Sequence, residues 1–432
     1  MNEGGEEAGL LRSPRETLPG LADAGLASLA TFAVGIAAAR LLSQADLGAY
    51  AIFFSGFVLA GILPTSLVLQ PLEIWLVKLP RAERLCGFGR NLRWGLLAAA
   101  LSVLPYGGVA LLIDGNTVAS STLIAFWATG TLAGLLSPLQ DHLRRLFHLA
   151  GWGKFAAYTS LVQFLVVIGA ILVLLGYDVS TPWVPLGALI IANAVSLVAA
   201  IGMAQAGVRA TNRQGSAPQQ PQLQSILGSG RWLLVQGVVT QGSGFAVVAL
   251  VGAIAGLVAL GQAEAARIVV QPLMVLGGGL MASLGPRSME AGAARDVGRA
   301  RALRRRYWQL LVPLGVLYLG YVSWNVPLNL MRNLVPIAYD TKGLVLVTGI
   351  GALVAGMSFV PRSELLGMGH VRDLTWIDGT ASAVHITASG LAAVRLGSFS
   401  LPAGAIVSSV VRTVLRTRQA NRALASPQKE DG

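Results

Sequence analysis

Apolar segments long enough to cross a bilayer recur along almost the whole chain and are separated by short polar stretches. A membrane-spanning helix needs roughly 20 mostly apolar residues. The eleventh segment that meets this requirement is the weakest, because Asp378, Thr380 and His385 interrupt it. The pattern predicts an all-α protein with twelve spans, over residues 21–42, 49–76, 94–113, 118–139, 155–175, 183–206, 232–257, 259–284, 308–330, 343–361, 374–394 and 399–415.

Arginine and lysine are concentrated in every second stretch between these spans and in both tails. The basic stretches lie near residues 78–93, 144–154, 209–231, 287–306 and 362–372, and the remaining stretches hold few basic residues. Positive charge beside membrane helices is retained in the cytoplasm. The alternation therefore predicts a multi-pass protein of the cell membrane with both termini in the cytoplasm.

Composition excludes several other classes of protein. Only 12% of the residues are charged, against about 25% in soluble domains, so membrane lipid is the expected surrounding. A net charge of +12 would suit a nucleic-acid partner, but it is spread over short loops, so none is expected. The single cysteine, Cys86, excludes an internal disulfide, and the four histidines lack metal-ligand spacing. With no phosphate-binding loop either, no enzyme and no cofactor are predicted.

The chain divides into two similar halves. Residues 207–227 form a polar Pro/Gln-rich linker between predicted six-helix bundles at 18–206 and 228–416, and residues 1–17 and 417–432 are predicted tails. A shift of 213 residues brings Phe32-Ala33-Val34 over Phe245-Ala246-Val247 and Leu47-Gly48 over Leu260-Gly261. Because six spans return the chain to its starting side, the halves must insert in parallel, around a central cavity as in transporters.

Polar residues inside the spans are the candidates for substrate binding, because charge at the bilayer centre costs on the order of 3 kcal/mol. Asp23 lies near the basic end of the first span, and its alternative reading is a helix residue within reach of water. Gln70 and Glu73 flank Pro71, which is expected to kink the second span and open a cavity. The alternative for Gln70 and Glu73 is an interfacial helix end.

Glu264 and Arg267 are three residues apart in the eighth span and share one helix face. One reading is a self-neutralised pair, and the other is that Arg267 binds a substrate phosphate through its planar fork. Gln236, Gln241 and Gln271 would add hydrogen bonds either to a sugar or to neighbouring helices. Arg40 is expected to extend towards the outer interface. Small residues four apart, Gly130/Gly134, Gly252/Gly256 and Ala352/Gly356, predict close helix packing.

Two stretches resemble polysaccharide flippases of the multidrug/oligosaccharidyl-lipid/polysaccharide exporter superfamily. The first is Ala39-Arg40-Leu41-Leu42, followed by Asp46 and Leu47-Gly48-Ala49-Tyr50-Ala51. The second comprises Arg144, Arg145, Phe147, Gly153 and Lys154. The resemblance extends over residues 20–165. The sequence departs from the family in the second half, whose interior is predicted to hold few of the arginines that a pyrophosphate substrate requires.

The resemblance implies that the chain moves an undecaprenyl-pyrophosphate-linked oligosaccharide from the inner to the outer leaflet by alternating access. A lipid-linked glycan would be its partner, beside a polysaccharide polymerase and glycosyltransferases. Two alternatives stay open. A drug/cation antiporter of the same superfamily would need a deep carboxylate for proton exchange, and a membrane glycosyltransferase or ligase would need a large outer loop.

Overall fold

The computed structural model describes residues 14–77, 79–85, 87–113, 117–211, 223–324, 329, 333–336, 339 and 343–426. All regular secondary structure in these residues is helical. The main helices are α1 Pro14–Leu41, α2 Gln44–Leu76, α3 Phe88–Tyr106, α4 Ser120–Leu149, α5 Gly153–Gly176, α6 Val184–Thr211, α7 Leu223–Ala255, α8 Leu257–Ala293, α9 Val297–Ser323, α10 Leu344–Gly367, α11 Val371–Leu396 and α12 Ser400–Ala425. Cys86 and most of the predicted first tail lie outside the described residues.

Each of the twelve predicted spans corresponds to one main helix, with residues 325–328 and 330 of the ninth span outside the described residues. Ten helical stretches are long and apolar enough to cross a membrane, and one of them includes both α11 and α12. Helix α9 does not pass that test, although its residues after Arg306 are apolar.

The helix ends differ from the prediction on the side that carries the basic clusters, called the basic side below. Helices α4 and α12 continue beyond their apolar segments, to Leu149 and Ala425. Helix α6 extends to Thr211 and α7 begins at Leu223, so both ends of the predicted linker are helical. Arginine is a good helix former and can extend along the helix to water. Arginines predicted outside the spans, such as Arg145 and Arg416, therefore belong to helices.

The second half repeats the packing of the first. Helix α1 packs on α5, α5 on α6 and α4 on α6, and the equivalent pairs α7 with α11, α11 with α12 and α10 with α12 are also in contact. Between the halves, α1 packs on α8 and α7 packs on α2 in the same reciprocal way. The fold is therefore two parallel six-helix bundles, as the sequence repeat indicated.

The repeated Leu-Gly pairs meet at the centre of the interface between the halves. A Cβ atom on Gly48 would overlap the carbonyl oxygen of Leu257, and a Cβ on Gly261 would overlap that of Gln44. Leu257 and Gly261 lie 213 residues after Gln44 and Gly48 and are therefore their equivalents in the second half. Each glycine thus contacts the first residue of the equivalent helix in the other half. Only a residue without a side chain allows α2 and α8 to approach this closely. The contact is a twofold-related one, and it lies on the side opposite the basic side.

Hydrogen bonds to the connection between α9 and α10 strengthen the contact between the halves on this side. Arg40 does not extend freely to the interface, as predicted from the sequence, but donates to the carbonyl oxygens of Asn333 and Leu334 in the connection between α9 and α10. Tyr339, in the same connection, donates to Leu42 O at 2.8 Å. Burial raises the pKa of Tyr339 to about 12, so its hydroxyl stays a donor at physiological pH.

Close packing at the predicted small residues is seen at Gly130, Gly252 and Gly356; a Cβ on Gly252 would stand 3.1 Å from Ile52 Cδ1. A Cβ on Gly130 would overlap the Tyr106 hydroxyl, and one on Gly356 would stand 2.9 Å from Leu311 Cδ2. The packing role is wrong for Gly256, which has a φ of +87° and forms the turn between α7 and α8. Glycine adopts such a conformation without steric cost.

Candidate functional site

A cavity of about 1110 Å³ lies between the two halves and is lined by the basic-side parts of helices from both. Helix α2 forms part of its wall. Residues Leu63–Leu69 of α2 form a π-helical segment that begins at Leu63-Pro64, and Pro71 follows in the next turn. Proline removes backbone donors, and π segments are frequent at functional sites. Thr65, Gln70 and Glu73 in this part of α2 line the cavity.

Five of the eight residues predicted to bind substrate line this one cavity. Gln70 and Glu73 come from α2, Gln236 and Gln241 from α7, and Gln271 from α8. The other three, Asp23, Glu264 and Arg267, do not belong to its lining. The predicted residues therefore include glutamines that line the cavity from both halves, but none of the cavity's arginines.

Glu73 is held by two basic side chains of α4. His142 Nδ1 lies 2.9 Å from Glu73 Oε1, and Arg145 Nη1 lies 3.5 Å from Oε2. His142 is fully buried, whereas Arg145 is exposed to the cavity. The carboxylate thus has defined partners and is not a free interfacial helix end.

Asp23 is buried, and the reading that placed it within reach of water is wrong. Ser160 Oγ donates to its Oδ1 at 2.5 Å, Arg144 Nε donates to the same atom at 2.8 Å, and His148 Nε2 lies 2.8 Å from Oδ2. These partners come from α4 and α5, more than 120 residues away. The carboxylate fixes Arg144 at the cavity wall.

The second half contributes an arginine cluster that the sequence analysis missed. Asp378 of α11 is buried and accepts from Arg416 Nη2 at 2.5 Å, while Arg412 Nε lies 3.5 Å away. Arg362 of α10 also lines the cavity. The prediction of an arginine-poor second half is therefore wrong. Two signals were present: the spacing of four between Arg412 and Arg416, which puts both on one helix face, and the Asp378 carboxylate inside an apolar span.

A chain of buried amides forms the wall of the first half. Gln140 Nε2 donates to Gln163 Oε1 at 3.3 Å, Gln163 Nε2 to Asn193 Oδ1 at 2.7 Å, and Asn193 Nδ2 to Ser137 Oγ at 2.6 Å. All four side chains also line the cavity. A connected network of this kind fixes the orientation of each amide. It gives the cavity a neutral polar surface beside the charged one.

Cations outnumber anions in the cavity lining. Five arginines face three carboxylates there, namely Arg144, Arg145, Arg362, Arg412 and Arg416 against Glu73, Asp141 and Asp378. Arg412 Nε and Arg416 Nε are buried without a hydrogen bond, although both guanidinium groups are ion-paired with Asp378. Guanidinium groups in excess over carboxylates in a low-dielectric site attract a bidentate anion such as a phosphate. The arrangement is suited to an anionic ligand that also carries hydroxyl groups.

Glu264 and Arg267 form a pair of their own on α8. Arg267 Nε and Nη2 donate to the two carboxylate oxygens at 2.7 and 2.6 Å, and the guanidinium carbon lies 5.9 Å from the centre of the Phe54 ring. Glu264 is buried. This geometry corresponds to the self-neutralised pair, because the Arg267 guanidinium and the Glu264 carboxylate already bind each other.

We expect Arg267→Ala to lower the free energy of unfolding by about 3–5 kcal/mol, because it leaves Glu264 buried without its cation. The double variant Glu264→Gln/Arg267→Gln should recover most of that loss. Thermal unfolding in detergent measures both effects. A fully stable Arg267→Ala protein with impaired transport would instead assign Arg267 to substrate binding.

No protein-family model and no curated protein matches the sequence. Solved structures do match. One is an outward-facing multidrug resistance MATE family transporter of the MOP superfamily, with a TM-score of 0.66 and 11% identity over 96% of each chain. The inward-facing conformation of a transporter with the same description matches with 0.62 and 12% over 93% of this chain and 96% of the other. A MOP superfamily transporter from Pyrococcus furiosus, described as having a binding pocket of reverse polarity, matches with 0.64 and 10% over 95% and 96%. The chain thus has the fold of the alternating-access MATE transporters of the MOP superfamily.

Proposed function

We propose that this membrane protein flips a lipid-linked, undecaprenyl-pyrophosphate-type oligosaccharide from the inner to the outer leaflet. The observation that supports this most is the cavity, in which five arginines, in excess over three carboxylates, lie beside a wall of amides. The arginines suit the pyrophosphate and the amides suit sugar hydroxyls, while the lipid chain would remain in the bilayer.

The direction of the cavity supports the same proposal. The cavity lies on the basic side, and the opposite side is closed by Gly48, Gly261 and the connection bound to Arg40. We take the basic side as cytoplasmic, with both termini there. The structure then corresponds to the state that receives substrate from the inner leaflet.

Transport in this direction needs no ATP. Outward movement of negative charge across an inside-negative potential is favourable by about 2.3 kcal/mol per charge and per 100 mV. A pyrophosphate diester with two charges would gain about twice that amount. A polymerase and glycosyltransferases would then act on the glycan before and after its movement.

Loss of the protein is expected to leave lipid-linked glycan on the cytoplasmic leaflet. The measurement compares cells with and without it, using a membrane-impermeant reagent that modifies glycans to determine the leaflet. An unchanged pool with an unchanged location would contradict the proposal. Re-expression of the wild-type chain provides the control.

A multidrug/cation antiporter is the second candidate, since two of the similar solved structures are described as multidrug resistance transporters. Its cavity would have to accept cations despite an excess of arginine. Efflux of a cationic dye from loaded vesicles distinguishes the two. Dye efflux together with an unchanged glycan pool would favour the antiporter.

A further inference from the structure

A second groove lies in the second half, and none of its lining residues lines the central cavity. It has a volume of about 630 Å³ and lies between α9 and α12. On α9, Arg301, Arg305, Trp308 and Val312 follow one another at intervals of three or four residues, so they share one helix face. Thr417 and Asn421 of α12, four residues apart, form the opposite wall.

The basic-side end of this groove carries uncompensated positive charge. Arg301 and Arg305 are exposed, and the described residues show no ion pair for either. Arg304, between them, is buried and differs from both. It pairs with Glu364 and donates to Asn421 Oδ1 at 3.1 Å. No carboxylate belongs to the described lining, so the groove presents two cations to an incoming ligand.

The other end of the groove is apolar, and its Trp308 side chain is held by a hydrogen bond. The Trp308 indole Nε1 donates to Met357 O at 3.1 Å, at the break in α10, and Val312 and Pro313 continue towards the bilayer centre. Leu310, Leu314 and Leu317 of the same helix are exposed to the bilayer. A tryptophan between a charged and an apolar zone is typical of the membrane interface.

One polar atom in the groove is unexplained by the fold. Thr417 Oγ1 is buried and has no hydrogen-bond partner among the described residues. Buried hydroxyl groups are normally satisfied, by protein or by a ligand. It lies on the wall that faces the two free arginines.

We propose that this groove binds an anionic phospholipid from the leaflet on the basic side. Arg301 and Arg305 would hold the phosphate, Thr417 would hydrogen-bond the headgroup, and an acyl chain would lie along Trp308 and Val312. Basic pockets between membrane helices are suited to such headgroups. A soluble phosphate compound would use the arginines alone, whereas the apolar continuation of the groove favours a ligand with a lipid chain.

The test uses the purified full chain in nanodiscs of phosphatidylcholine, to which phosphatidylglycerol or cardiolipin is added, and native mass spectrometry to count retained lipids. Arg301→Gln/Arg305→Gln is expected to weaken retention of the anionic lipid about 30-fold, from about fivefold for each basic residue. Arg209→Gln/Arg306→Gln is the matched control, because both arginines are exposed on the same side and neither lines the groove. This control should retain lipid as wild type does.

A second variant, Thr417→Trp, fills the groove without changing its charge and should also abolish retention. Unfolding temperatures of all variants show whether they fold. Three results would overturn the proposal: equal loss in the control pair, equal retention of phosphatidylcholine by wild type, or unchanged retention by Thr417→Trp. Displacement of the lipid by soluble glycerol phosphate would show a phosphate site and would also overturn it.

Discussion

Replacing Arg362 and Arg412 together by glutamine is expected to lower transport at least about 100-fold in a protein that still folds. Both arginines line the cavity; Arg362 is exposed, and Arg412 lies 3.5 Å from Asp378, farther than Arg416 does. Each charge-assisted hydrogen bond to a phosphate contributes about 1.5–3 kcal/mol, so the loss of two reaches that factor. Binding of undecaprenyl pyrophosphate and its movement in proteoliposomes measure the effect.

The controls for this prediction lie on α12, the helix that carries Arg412. Arg418→Gln removes an equal charge from an exposed residue outside the cavity lining and should transport as wild type does. Arg416→Gln removes the close partner of buried Asp378 and should lower stability by about 3–5 kcal/mol. Wild-type transport by Arg362→Gln/Arg412→Gln would show that the cluster does not bind substrate. A loss of stability as large as that of Arg416→Gln would make the two arginines structural.

The number of spans was predictable because the thickness of the bilayer sets a minimum apolar length. The weakest predicted span, with Asp378 in it, is a complete helix, since Arg416 neutralises that carboxylate. Such pairs cannot be found by hydropathy alone, because hydropathy treats each segment separately. The same limit applied to Asp23, whose three partners lie on two other helices.

The cavity was predictable only in part for a similar reason. Pro71 drew attention to Gln70 and Glu73, and both line the cavity. The predicted last span ends at residue 415, with Arg412 in its last turn and Arg416 just beyond it, so hydropathy gave no sign that either lines the cavity. Helix α12 continues to Ala425 and carries Arg412 and Arg416 into the bundle. Whether a charged helix end lies inside the bundle depends on how the neighbouring helices pack, which the hydropathy of a single segment does not show.

The glycine contact between the halves leads to the second prediction of large effect. Gly48→Ala or Gly261→Ala places a methyl group against a backbone carbonyl of the other half, and a backbone atom can move only with its helix. Overpacking of this kind costs about 1–3 kcal/mol. The cost falls on the state in which the side opposite the basic side is closed, so the equilibrium should shift towards the other state about 5–150-fold. Because both variants separate the same two helices, their double variant should shift it by less than the sum.

Labelling of a cysteine in the cavity measures this shift. In a Cys86→Ser background, Thr65→Cys places a thiol in the cavity lining. An impermeant maleimide should label it from the basic side in the unsubstituted protein, and from the opposite side in the glycine variants. Gly169→Ala is the matched control, because a Cβ at that helical position meets nothing within 4 Å. If Gly48→Ala and Gly261→Ala label like Gly169→Ala, the contact does not hold the closed side, and the repeated glycines serve only the folding of the two halves. If they label from the opposite side, the pair inherited from the repeat is the contact that opens and closes during transport.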